Sequence, residues 1–277
     1  MSVKGVCALC AEWGELTFEH IPPRRAFNAS SAVAHTLYGL HVGSTYHKSP
    51  PPKEGRRGLG KHSLCERCNG VTAAWYGDAF ADWTIQCLRY AEKIDAANAV
   101  LLSFDLYPLR VLKQILTMLI AVSDVAAAGD RIDALRSFVL SRQSMALPRE
   151  LQIKAYLNPL DPRRRGNKLL TQNRLCGSCG LLDIRTGTSL FVLGEVGFPP
   201  MGYVGIELPP GMQCSADFSE LFDISWFSKY HYGEHRTFHL QIPIRRPFGP
   251  VPGYYPVLHG PARPSFVDDN HVLVTRK

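Results

Sequence analysis

Apolar residues recur at steps of three and four over Tyr76, Phe80, Trp83, Cys87 and Tyr90, the spacing of one helix face. Gly77 within the stripe costs about 1 kcal/mol relative to alanine. The stripe reads as core; a base-stacking role for Trp75 or Trp83 is the alternative. Residues 106–124 are apolar almost all round through Leu109, Val111, Leu112, Ile115, Leu116, Leu119 and Ile120, which predicts a helix buried on several faces. Asp130 is placed as the N-cap of a further helix running through Ile132, Leu135, Phe138 and Val139. From about residue 150 the period changes to two, in Leu151, Ile153, Ala155 and Leu157 and again in Phe238, Leu240, Ile242 and Ile244. Helices followed by a largely antiparallel sheet make an α+β arrangement. A soft boundary near residue 95 separates 1–95 from 96–277, a part whose role is substrate selection, oligomerisation or regulation.

The N-terminal quarter has little periodicity. Residues 1–20 read as a cysteine knuckle and a short strand, Glu15 to Phe18, ending in Glu19-His20. Residues 21–64 are rich in Pro, Gly, Ser and basic side chains, with Pro50-Pro51-Pro52 among them, and read as an extended loop. A loop of that length inside a compact domain is more often functional or flexible than decorative.

At 277 residues, 45% hydrophobic and 20% charged, the composition is that of a soluble globular chain. The start, MSVKGVCALC, lacks the apolar core of a signal peptide. The most apolar stretch, from Val100 to Val122, is broken by Asp105, Pro108, Arg110, Lys113 and Gln114 and is not expected to span a membrane. A cytoplasmic, reducing setting is the expectation, and there paired cysteines more often hold metal than disulfide. The net charge of +7 favours a polyanionic partner. Its placement says more: Arg24, Arg25, Lys48, Lys53, Arg56, Arg57 and Lys61 lie between residues 21 and 64 against Glu54 alone.

Two Cys-x-x-Cys pairs, Cys7/Cys10 and Cys65/Cys68, bracket this basic stretch. Four thiolates in two close pairs suit a tetrahedral structural zinc. A Glu19-His20 dipeptide lies between the pairs and Asn69 directly follows the second. In that order, CALC, EH and CERCN resemble the HNH, or ββα-metal, nuclease superfamily, and most closely its phage endonuclease VII type. The resemblance covers about residues 5–90. It departs from the family in having Glu19 where Asp is usual, in the length of the loop after His20, and in lacking a clear match to the central Asn that often precedes the second knuckle.

The resemblance implies an N-terminal zinc-stabilised ββα-metal domain that hydrolyses phosphodiester bonds. Glu19 and Asn69 would hold Mg²⁺ or Mn²⁺, and His20 would deprotonate water. The residue types suit these roles: an imidazole serves as a base at neutral pH, and carboxylate and amide oxygens are hard ligands. His62 is a further candidate ligand. Arg24, Arg25, Arg56, Arg57 and Lys61 are candidate phosphate contacts. The bland alternatives are an exposed strand end at Glu19, a packed His20, Asn69 as a helix N-cap and a solvated basic loop.

DNA is preferred over RNA as the expected substrate, though the sequence does not separate them. The rival from another class is a non-catalytic, zinc-dependent nucleic-acid-binding protein. Self-association is left open, and a place in bacterial or phage defence rests on analogy. A third pair, Cys176/Cys179, would need two more ligands from Cys214, His231, His235 or His239 to bind a second zinc. Arg163-Arg164-Arg165 reads first as a solvated turn and second as a nucleic-acid contact.

Overall fold

The computed structural model describes residues 2–29, 32–36, 53–55, 58–91, 99–123, 131–158, 173–176, 179–183, 188–208, 216–245, 254–257 and 272–276. It is an α+β protein with few helices and mostly antiparallel sheets. Strand β1 (Val3–Val6) pairs with β2 (Trp13–His20). Strands β3 (Ala32–Thr36) and β4 (Lys53–Gly55) lie within the stretch read as loop, and β5 (Gly60–Leu64) closes it. β1, β2 and β5 form a three-stranded sheet.

Helix α1 (Glu66–Thr72) passes through a π-helical turn, Ala73–Gly77, into α2 (Asp78–Ala91). The aromatic stripe is the buried face of this segment: Tyr76, Phe80, Trp83 and Cys87 are all inaccessible. Gly77 falls at the end of the π turn, where one extra residue enters the helical ladder.

Strand β6 (Ala99–Leu106) leads into α3 (Pro108–Val122), whose first residue is a proline that needs no intrahelical donor there. Apart from Arg110, every residue of α3 is buried, as its all-round apolar pattern requires. Even Lys113 is enclosed: its Nζ donates to the carbonyls of Ser141 at 2.5 Å and Arg142 at 3.3 Å, beyond the C-terminus of α4 (Arg131–Leu140). A cation there meets the negative end of the helix dipole, while burial pushes its pKa down to about 8.

The larger sheet holds β7 (Leu151–Leu157), β8 (Asn173–Cys176), β9 (Cys179–Asp183), β10 (Thr188–Phe198), β11 (Met201–Glu207), β12 (Phe222–Asp223), β14 (Tyr254–Val257) and β15 (Val272–Arg276). β15 pairs with β3, so β3 and β4 join this sheet and not the three-stranded one. β13 (Arg236–Pro243) pairs with β6 along its full length. One apolar cluster runs without a break from Cys7, Leu9 and Leu64 through α2 and α3 to Leu240 and Ile242, across residue 95. Within it, Trp83 Nε1 donates to the Tyr203 hydroxyl at 2.7 Å. That bond satisfies two polar groups that would be costly to bury alone. No helix among the described residues is long and apolar enough to cross a membrane.

Candidate metal centre and the adjoining strand end

β1 ends at Val6, just before Cys7, and the chain reverses through Cys10. The turn is closed by the Ala11 amide donating to the Cys7 carbonyl and the Cys7 amide to the Glu12 carbonyl, both at 2.9 Å. Ala11 adopts a left-handed φ of 61°, a conformation that costs an alanine about 1–2 kcal/mol. Cys65 and Cys68 sit at the start of α1, and the Cys65 amide points at Cys7 Sγ at 3.3 Å. The four sulfurs lie within 4.8 Å of one another. Cys10 and Cys65 Sγ are 3.8 Å apart, too far for a disulfide. It is about the edge of a tetrahedron with Zn–S bonds of about 2.3 Å.

Four sulfurs this close would repel one another as thiolates unless a cation lay between them. Burial, then the Cys65 side chain and the neighbouring thiol charges, push the Cys68 thiol far up. The donor set therefore fits a metal such as zinc. Two elements brace the site from outside: Arg67 reaches Glu12 at 3.3 Å, and Arg136 on α4 donates from Nε to the Ala8 carbonyl at 2.9 Å.

The cluster sits beneath β2. Burial along β2 alternates toward its end, where Phe18 is exposed, Glu19 buried and His20 intermediate. Adjacent strand residues face opposite sides, so Glu19 points away from Phe18 and His20; the β2–β5 register shifts between Thr17 and Phe18. α1 packs against β2: Asn69 Nδ2 donates to Thr17 Oγ1 at 2.9 Å. The Asn69 side chain is thus tied to β2 two residues before Glu19. Glu19 is 7% exposed, and burial pushes its carboxyl up to about 7. His20 belongs to the other face, edge-on to Phe18 at 5.1 Å. Phe18 also meets His62, which is exposed, at 5.3 Å. His20 and His62 therefore flank one aromatic ring, while the buried Glu19 points to the other face.

Among the described residues, the four cysteines are the only group of three or more His, Cys, Asp or Glu placed to hold an ion.

Asn28 was not singled out by sequence reasoning. It is 1% exposed and closes the base of the basic stretch. Its Nδ2 donates to the Pro22 and Leu59 carbonyls and its Oδ1 accepts from the Leu59 amide, all at 2.7 Å. Gly58 makes room for it: φ is +98°, and a Cβ there would lie 2.3 Å from the Asn28 carbonyl oxygen. No local pattern around Asn28 announces this, because two of its three bonds go to Leu59, at the far end of the loop.

Arg24 and Arg25 form an exposed 3₁₀ turn, and Arg25 is ion-paired with Asp78 at the start of α2. Lys61 lies opposite Glu19 in the β2–β5 ladder. Arg56 and Arg57, Arg163 to Arg165 and Cys214 fall outside the described residues, as do the side chains of Cys176 and Cys179. His231, His235 and His239 are exposed, and Cys87 is fully buried. No family of known proteins, no curated protein and no solved structure matches this chain.

Proposed function

We propose that the chain is a metal-dependent endonuclease of the HNH type acting on DNA. The supporting observation is the way a four-cysteine centre ties β2, which ends in Glu19-His20, to the helix bearing Asn69. Four thiolates hold the scaffold and carry no chemistry.

In this reading Glu19 and Asn69 Oδ1 are ligands for Mg²⁺ or Mn²⁺, which when bound neutralises charge on the scissile phosphate. Glu19 gives up its proton to serve, since its buried carboxyl is largely protonated below about pH 7. His20, partly exposed at the strand end, accepts the proton of the attacking water through its imidazole. The ring edge of Phe18 fixes one side of that imidazole. Attack at phosphorus would leave a 5′-phosphate and a 3′-hydroxyl, as the resemblance implies.

The test is cleavage of plasmid DNA and of RNA in Mg²⁺, Mn²⁺ or EDTA by wild type and His20→Ala. Cation-dependent DNA cleavage that falls by about 10²–10⁴-fold in the variant supports the reading. Binding with no cleavage in either cation would leave the non-catalytic zinc-module reading in its place, and cleavage of RNA alone would change the substrate.

A further inference from the structure

Away from the strand end, two guanidinium groups gather on one aromatic ring. Arg110, on α3, lies with its central carbon 4.5 Å from the Tyr232 ring centroid and 4.8 Å from that of Tyr107. Arg142, past the end of α4, lies 4.1 Å from the same Tyr232 ring. The two cations are therefore less than about 9 Å apart, a separation at which like charges repel appreciably near a protein surface. Neither has a carboxylate partner among the described residues.

The acids in adjoining segments are engaged elsewhere. Glu234 takes Arg236 at 2.8 Å and the His231 amide at 3.2 Å. Asp105 accepts from Thr237, and Asp133 pairs with Arg136 at 2.6 Å. Lys113 adds a third cation against the Arg142 carbonyl. Arg142 and His235 are exposed, and His235 meets the Tyr107 ring at 4.7 Å.

The cluster is held to the segment that follows α1 by the π turn. Trp75 lies within that turn, and its carbonyl accepts from Arg110 Nε at 3.1 Å and from the Tyr232 hydroxyl at 2.9 Å. Arg110 also donates from Nη2 to the Tyr232 hydroxyl at 2.9 Å. These bonds fix Arg110 rigidly and leave Arg142 as the open fork. Trp75 is six residues beyond Asn69, about 9 Å along the helix, roughly two to three base steps of a nucleic-acid strand.

We propose that Arg110 and Arg142, mounted on Tyr232, form a phosphate-binding site that grips the sugar–phosphate backbone of the nucleic acid at a distance from the strand end. The site rests on the nuclease reading for its substrate but not for its geometry. A guanidinium pair with no carboxylate partner among the described residues attracts a phosphodiester, and planar forks match its oxygens. Aromatic stacking keeps both cations extended without neutralising them. The contact positions the substrate and reads no base.

The experiment measures binding of a fluorescein-labelled 20-base-pair DNA duplex, and of its single strand, across a salt series without divalent cation. Arg142→Gln is compared with Arg89→Gln, an exposed site of equal charge change on α2. Arg142→Gln is expected to weaken duplex binding about tenfold and to make the log–log salt slope shallower by about 0.9, while Arg89→Gln leaves both unchanged. Arg142→Lys should recover the slope but only part of the affinity. Unaltered binding by Arg142→Gln overturns the proposal and leaves the nuclease reading, which is judged by His20→Ala cleavage. Equal losses in both Gln variants also overturn it, by reducing the effect to net charge. An altered slope in a chain that cuts nothing would uphold this site and remove the nuclease reading.

Discussion

Asn69 and Thr17 are joined by a 2.9 Å hydrogen bond from the amide Nδ2 to the hydroxyl oxygen, and Thr17 in turn donates to the Leu64 carbonyl at 2.9 Å. One threonine thus couples α1 to both β2 and β5 and fixes the asparagine's orientation. Side chains that orient a ligand are worth about 10–100-fold in metal affinity or activity.

Thr17→Val keeps the shape and removes the acceptor. It should lower stability by about 1 kcal/mol and raise the Mg²⁺ or Mn²⁺ concentration for half-maximal cleavage at least several-fold. A cation titration on wild type, Thr17→Val and Asn69→Ala checks this. If Asn69→Ala needs more cation and Thr17→Val does not, the coupling has no functional role.

The purified protein should carry about one zinc per chain, with Cys7, Cys10, Cys65 and Cys68 as its ligands. Cys65→Ser should lose the metal and lower thermal stability, because these sulfurs join β1 to the start of α1. Elemental analysis and a melting curve decide it. Metal-free protein with an unchanged melt would remove the structural role, and two zincs per chain would bring Cys176 and Cys179 back into account.

Parts of this architecture are plain in the residues and parts are hidden. The stripe from Tyr76 to Tyr90 and the all-apolar α3 are read directly because each buries what its own sequence marks; the alternation of β7 gives the strand but not its burial, since Lys154 and Tyr156 on the other face are enclosed as well. β6 is harder to see. It does alternate, with Leu102, Phe104 and Leu106 buried. Yet Leu101 is apolar and 69% exposed, so the strand merges with the helix after it into one hydrophobic run. The strands β3 and β4 inside the basic stretch carry little apolar pattern of their own; β4 pairs with β3, and β3 joins the larger sheet through β15, far along the chain. At the candidate site, spacing alone picks out the cysteines. It does not say that His20 and Glu19 occupy opposite faces, nor that Asn28 ties the loop shut.

Asn28→Ala tests that tie. It removes three hydrogen bonds and leaves the Pro22 carbonyl and the Leu59 amide without their Asn28 partner, while the Leu59 carbonyl keeps the Ile21 amide at 2.9 Å. Unsatisfied buried groups cost about 1–3 kcal/mol each, so a loss of roughly 2–4 kcal/mol is expected in denaturant unfolding. Gly58→Ala should be comparably harmful, since a Cβ would strike the Asn28 carbonyl at 2.3 Å and φ is +98°. A change below about 0.5 kcal/mol in both, the level of ordinary surface substitutions, would mean the loop base is not held this way.

The buried carboxyl of Glu19 makes the sharpest pH prediction. Its pKa rises from 4.5 to about 7 on folding, through burial. Between those values the folded chain holds a proton that the unfolded chain has released, so this group makes stability fall as pH rises. The loss begins near pH 4.5, is complete a little above pH 7, and amounts to about 3 kcal/mol at most. Glu19→Gln keeps the size and stays neutral, so without added Mg²⁺ or Mn²⁺ it should be more stable than wild type at pH 8 and nearly equal at pH 4.5. A cation bound at Glu19 competes with the proton, so added Mn²⁺ should raise the melting temperature of wild type more at pH 8 than at pH 6. Glu19→Gln should lose most of that response. Melting curves at the two pH values, with and without Mn²⁺, carry the decision. Equal stabilisation of wild type and Glu19→Gln by Mn²⁺ at both pH values would place the cation elsewhere and leave Glu19 a buried acid without a metal to serve.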